Sequence, residues 1–301
     1  MLGVSIQDDV FQGKLTKKSM NDLIANCDSI DQYLYHLKSY GVNSIEVRIL
    51  PREADETLYV KVIQQIWDAG LRLTVHGHVK GEMSAAKFED IYPSMKYILR
   101  NYEKYQDELV MAIHAFDAKA GSEEELFNRT VELFRQWTTM AHQEHLPLRF
   151  ALENNRKKPT KVDPGDTTES VLRMVELIDS PHMGITWDMG HYYSDLLSHY
   201  GHRNLSELPL LELPNPAFLK RVIHTHIHGI GDNNDTHHPL TEMASLPLEY
   251  YVNALRNNGY QGAYNLELTL YKFGQDRSIL EHVGASVQRL KDTASTTGSL
   301  V

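Results

Sequence analysis

The chain alternates between short runs with an apolar residue at every second position and longer stretches with apolar residues at helical spacing. Period two sends successive side chains to opposite faces of a strand, whereas a three-to-four spacing builds one face of a helix. Residues 2–7, 44–50, 72–79, 109–116, 148–155, 183–191, 222–229 and 263–268 read as strands. Residues 54–69, 85–105, 123–145, 168–178, 248–257 and 278–293 read as helices. Gly41, Gly70 and Gly259 fall where such helices should end, at positions that favour a left-handed cap. Eight strands, each followed by helix, predict an α/β chain folded as a single-domain (β/α)8 TIM barrel over residues 1–293. An open doubly wound sheet is the competing arrangement. The tail 294–301 is small and polar, and is expected to be disordered.

The alternation also sorts the strand faces. Leu148, Phe150 and Leu152 alternate with Arg149, Ala151, Glu153 and Asn155. Met183, Ile185, Trp187 and Met189 alternate with Gly184, Thr186, Asp188 and Gly190. Ser44, Glu46 and Arg48 alternate with Ile45, Val47 and Ile49, and Ala263, Asn265 and Glu267 with Tyr264, Leu266 and Leu268. One face of each strand suits packing under helices. The other starts small or polar and ends in an ionisable group, as expected for a barrel interior with its chemistry at the C-terminal strand ends. Segments 155–168 and 192–216 break the rhythm, the first as a basic, turn-rich loop and the second as an insertion with lid character.

With 301 residues, 42% of them hydrophobic, the chain can bury a large core. A formal charge of −10 argues against a nucleic-acid surface. Cys27 is the only cysteine, so no internal disulfide can form. The N-terminus has no signal-like pattern and no run reaches transmembrane length, so a cytoplasmic location without membrane association is expected.

Residues 221–240 hold five of the sixteen histidines. On a strand, His224, His226 and His228 share one face, and each imidazole there needs a partner for its ring nitrogens. At the other strand ends stand His76, His78, His114, Glu153, Asp188 with His191, and Glu267; Asp235 and His237 follow the seventh strand. Each has an ordinary reading, as salt-bridge partner, helix cap or buried hydrogen-bonded histidine. Gathered at one end of a barrel, mixed carboxylates and imidazoles suit a divalent metal: Zn²⁺, Mn²⁺, Co²⁺ or Mg²⁺.

The ordered motifs LENN, WDMGH, HIHG, DTHHPL and LEL resemble those of the xylose-isomerase-like TIM-barrel superfamily, which includes sugar isomerases, epimerases and endonuclease IV. In the isomerase and epimerase branch, the resemblance implies one metal held by Glu153, Asp188, His226 and Glu267, with the two glutamates as acid and base. In the endonuclease branch it implies a three-zinc cluster that adds His76, His114, His191, Asp235 and His237. The strand SIEVRIL resembles the isomerase side, and the missing first-strand histidine and the NRKKPTK continuation depart from the nuclease side. The expected function is therefore metal-dependent isomerisation or epimerisation of a sugar or sugar phosphate through an enediolate. Glu153, Glu267 and His191 would act on the substrate, and His78, Arg156 and His228 would contact it, with Lys157 and Lys158 as further candidates for a phosphate or carboxylate. The alternative is phosphodiester hydrolysis by three metals, and a non-enzymatic sugar-binding role ranks third. A carbohydrate is the expected partner; barrels of this type often pair as homodimers, though no apolar stripe demands it.

Overall fold

A computed structural model describes residues 1–6, 29–49, 56–79, 88–201, 211–231, 234–240, 246–269, 272 and 278–296. Eight parallel strands close into a barrel in sequence order: β1 (Leu2–Ile6), β2 (Ser44–Arg48), β3 (Arg72–Gly77), β4 (Leu109–His114), β5 (Leu148–Glu153), β6 (Met183–Asp188), β7 (Val222–Ile227) and β8 (Tyr264–Leu266). The barrel is sealed by β1 against β8, with Leu2 opposite Tyr264 and Val4 opposite Leu266. The open-sheet alternative is excluded by this closure.

Each strand's apolar face packs outward under helices, as its alternation dictates. Phe150 lies against Phe134 and Trp137 of the helix Glu123–Gln143, with ring centroids 5.9 and 5.5 Å apart. Trp187 packs on Tyr251 at 4.9 Å and Tyr192 at 5.9 Å, between β6 and the helices Met189–His199 and Leu248–Asn257. The inward face is polar yet buried: Glu46, Thr186, His224 and Asn265 are at most 1% exposed. Such groups are tolerated when paired, and Glu46 pairs several of them. Glu46 accepts from Ser5 Oγ at 2.7 Å, His224 Nε2 at 2.8 Å and Asn265 Nδ2 at 3.2 Å.

Local signals set the helix ends. Ser122 and Thr167 accept hydrogen bonds from the backbone N–H three residues on, capping Glu123–Gln143 and Thr168–Ile178. Gly41, Gly70 and Gly259 take positive φ (93°, 69° and 77°), as their placement predicts.

Four details differ from the sequence pattern. β6 stops at Asp188, whose side chain caps the helix Met189–His199 through the N–H of His191; the apolar Met189 continues the strand's period but begins the helix. The pattern over 85–105 resolves into Phe88–Ile91, Ser94–Asn101 and a 3₁₀ turn at Tyr102–Lys104, separated at Pro93, which has no N–H to give a continuous helix. The helix Ile30–Ser39 was not evident, since it buries only Tyr33, Leu34 and Leu37. The final helix, Ile279–Thr296, runs three residues past the predicted end. Residues 7, 50, 54–55, 85–87, 202–210 and 297–301, parts of other predicted segments, lie outside the described residues. None of the described helices is long and apolar enough to cross a membrane.

Candidate metal centre and substrate cavity

A cavity of about 510 Å³ opens at the C-terminal strand ends. His76, His78, His114, His191, His237 and Glu267 line it, with Arg48, Arg156, Lys158, Lys161 and Lys272 among its other walls. Beneath it, Glu153 on β5, Asp188 on β6, His226 on β7 and Glu267 just after β8 each offer a ligand atom, all within 4.8 Å of one another. Adjacent strands produce this grouping: Glu153 lies opposite Thr186, and Asp188 opposite His226.

The donor set fits a divalent cation. Glu153 Oε2 and Asp188 Oδ2 are buried and make no well-aligned hydrogen bond, with imidazole nitrogens of His76 and His191 each 3.1 Å away. Buried carboxylate oxygens in that state are stabilised by a positive charge, from a protonated imidazole or a cation. His226 points Nε2 at both oxygens of Glu46, at 3.0 and 3.1 Å. Its Nδ1 faces Glu153 Oε1 at 3.0 Å and Glu267 Oε2 at 3.5 Å. If Nε2 carries the proton for Glu46, Nδ1 presents a lone pair to two carboxylates, so either a second proton or a metal must lie there. His76 repeats the logic, with Nδ1 on the carbonyl of Gly77 at 2.9 Å and Nε2 3.1 Å from Glu153 Oε2.

The protonation tendencies follow. Burial would lower His226, but the negative charges of Glu153, Glu46 and Glu267 outweigh it and raise the imidazole well above its usual value. Burial would raise Glu153, but His114 and His226 pull it well below the usual carboxylate range. Glu46 is likewise held low against its burial, by His226 and His224. His191 and His237 go the other way: burial dominates and depresses them to about 4 and about 3. Their Nε2 atoms are 3.2 Å apart at the cavity wall.

The remaining sequence candidates divide. His114 reaches Glu153 at 3.5 Å, and His191 Nδ1 reaches Asp188 at 3.1 Å. His78 and Arg156 line the cavity as expected, although Arg156 also donates to the carbonyl of Asn234 at 2.7 Å. His228 was expected to face substrate and does not. It is fully buried, its Nε2 3.1 Å from Asp188 Oδ1, behind the cavity wall. Asp235, expected to extend the set to nine ligands, is turned to Lys272 at 2.7 Å and His238 at 2.8 Å. Nitrogens of His191, His228 and His237 do cluster closely enough to hold an ion.

Sequence reasoning missed Glu46, Arg48, Lys161 and Lys272. Glu46 and Arg48 had a usable signal: they share the period-two face of β2 that points inward. Lys161 and Lys272 had none, because their placement depends on how loops cross the barrel mouth.

The family model described as xylose isomerase-like TIM barrel matches residues 34–292. No curated protein matches the sequence. Among solved structures, a xylose isomerase domain protein from Alicyclobacillus acidocaldarius is similar at TM-score 0.62 and 14% identity, covering 99% of both chains. The 3-keto-D-glucoside 4-epimerase of E. coli gives 0.61 and 15%, over 97% of this chain and 100% of that one. The D-allulose 3-epimerase of Methylomonas sp., solved with D-allulose, gives 0.58 and 14% over 97% of each. At these identities the structures speak for the fold, whereas the family match covers most of the sequence. The chain belongs to the xylose isomerase-like TIM-barrel family.

Proposed function

We propose that the protein is a divalent-metal-dependent sugar isomerase or epimerase working at the cavity above Glu153, Asp188, His226 and Glu267. The observation that carries this reading is the four-ligand cluster of buried carboxylates and an imidazole, placed under a cavity of sugar size. The epimerase neighbours are consistent with it.

A bound metal would supply positive charge where a substrate oxygen becomes negative. The protein's own groups would move the proton. Glu267 is the better-placed base: its side chain is 17% exposed and lines the cavity, and its contacts to His226 and His237 are both long, at 3.5 Å. Burial would raise its carboxyl, but His226 and His237 hold it below the usual range. Its loose contacts still leave it freer to reach a substrate proton than a tightly held carboxylate. Glu153, fully buried and held by His76 and His226, is more firmly fixed; it would hold the ion and serve as the second proton carrier. The His191–His237 pair forms part of the cavity wall beside Glu267.

Solvent deuterium tests the reading. In D₂O, the metal-loaded protein should exchange the hydrogen on the carbon next to a ketose carbonyl, across a panel of ketoses and their phosphates. Glu267→Gln should slow exchange by about 10²–10⁴-fold, the usual loss for a general acid–base group, while still binding metal. Exchange that survives chelation, or is unchanged in Glu267→Gln, would sink the proposal.

A further inference from the structure

The chain carries a net charge of −10, yet five of the fifteen described residues lining its cavity are lysine or arginine. Two of these cations are neutralised by the protein itself. Lys161 is bridged to Asp117 and Asp163, and Lys272 to Asp235. Arg156 is committed at one nitrogen to the carbonyl of Asn234, which leaves its charge uncompensated.

Lys158 and Arg48 have no ion pair or hydrogen bond with any described residue, and Arg48 Nε is buried without a partner. Lys158 stands exposed at the cavity mouth beside Lys161 and Arg156; partial desolvation first, then these two like charges, push its ammonium below the usual lysine range, against the opposing pull of Asp163 and Asp117. Cations crowded at one cavity mouth repel each other, and an anion bound among them relieves that repulsion. Arg48 enters from β2, in register with His76 of the candidate metal cluster. Lys158 enters from the loop after β5. The basic groups thus line the same cavity as Glu267 and His76.

We propose that the sugar substrate is anionic, and that Lys158, with Arg156 and Arg48, binds a phosphate or carboxylate group it carries. This deepens the isomerase reading and rests on it for the placement of the sugar portion. Phosphate and carboxylate share the chemistry of charge-assisted hydrogen bonding. A nucleic-acid backbone is disfavoured, because the basic groups are confined to one cavity of about 510 Å³ on an acidic protein.

Calorimetry on the Mn²⁺-loaded protein tests this with three unreactive probes: D-glucitol, D-glucitol 6-phosphate and D-gluconate. At least one anionic probe should bind about 10- to 100-fold more tightly than D-glucitol, the scale of a charge-assisted contact. The probe that gains affinity distinguishes phosphate from carboxylate. Lys158→Met should remove most of the gain and leave D-glucitol binding unchanged; Arg48→Met should reduce it further. Equal or weaker binding of both anions, a gain that survives in both variants, or Lys158-dependent nicking of abasic DNA would overturn the proposal. Failure of the isomerase reading has a separate signature: no ketose exchange in D₂O, with the Lys158-dependent preference for the anion intact.

Discussion

Glu46 shows how much one side chain can set. It joins Ser5, His224, His226 and Asn265 beneath the site and holds Nε2 of His226, which turns Nδ1 towards Glu153 and Glu267. A carboxylate on the far nitrogen of a ligating histidine fixes its tautomer and strengthens it as a donor, and losing such a partner typically costs about 10–100-fold in metal affinity. Glu46→Gln should therefore weaken Mn²⁺ by that order in calorimetric titration, with the fold retained by circular dichroism. Unchanged affinity would show that His226 needs no such support. The depressed histidines give a pH prediction at the same scale. An unfolded histidine titrates near 6.5, whereas folded His191 and His237 titrate near 4 and 3. Between these values the unfolded chain binds protons that the fold excludes, so their contribution is complete above about pH 6.5 and is lost as pH falls through the folded values. The raised His76, His226 and His228 act in the opposite sense: their contribution is complete below about 6.5 and lost as pH rises through their folded values. The decisive quantity is thus a difference. Denaturant unfolding of the metal-free protein between about pH 7 and pH 4.5 should show native stability falling relative to His191→Gln as the pH drops.

At the scale of elements, the turn from β6 into the helix Met189–His199 organises one wall of the site. Asp188 ends the strand, caps the helix and contacts both His191 and His228. Gly190 lets this happen, since a Cβ there would stand 2.0–2.4 Å from three ring atoms of His228. Gly190→Ala should push His228 away from Asp188, with a cost of about 1–3 kcal/mol for overpacking and weaker metal binding. Thermal unfolding with and without Mn²⁺ measures both, and a variant matching the native protein in each would contradict this role for the glycine. The same turn marks where sequence reading ran out. Met183–Asp188 was legible as a strand because its alternation faces two different environments. Met189 extends the period by chance, and only the Asp188 cap shows that the chain has turned. The strands and most helices were legible for the same reason: a barrel imposes one greasy and one polar face on every strand. The convergence of Glu153, Asp188, His226 and Glu267 was legible because strand ends place ionisable residues at one mouth. The cations Lys161 and Lys272, and the diversion of Asp235, depend on loop paths that carry no period.

Across the whole molecule, the barrel separates two tasks by depth. Its lower interior is a hydrogen-bonded polar layer built on Glu46; above it lies a cluster of carboxylates and imidazoles, and above that a cavity rimmed with cations. The order follows from eight strands that point the same way. Polar side chains that can pair lie deep, and groups that need an external partner lie where one can enter. The central claim is that this partner is a divalent metal, and titration of chelator-stripped protein with Mn²⁺ tests it most directly. One ion should bind per chain at the four-ligand cluster in the native protein, and Asp188→Asn should bind about 10²-fold more weakly or not at all. No binding to the native protein, or equal binding to Asp188→Asn, would contradict the claim.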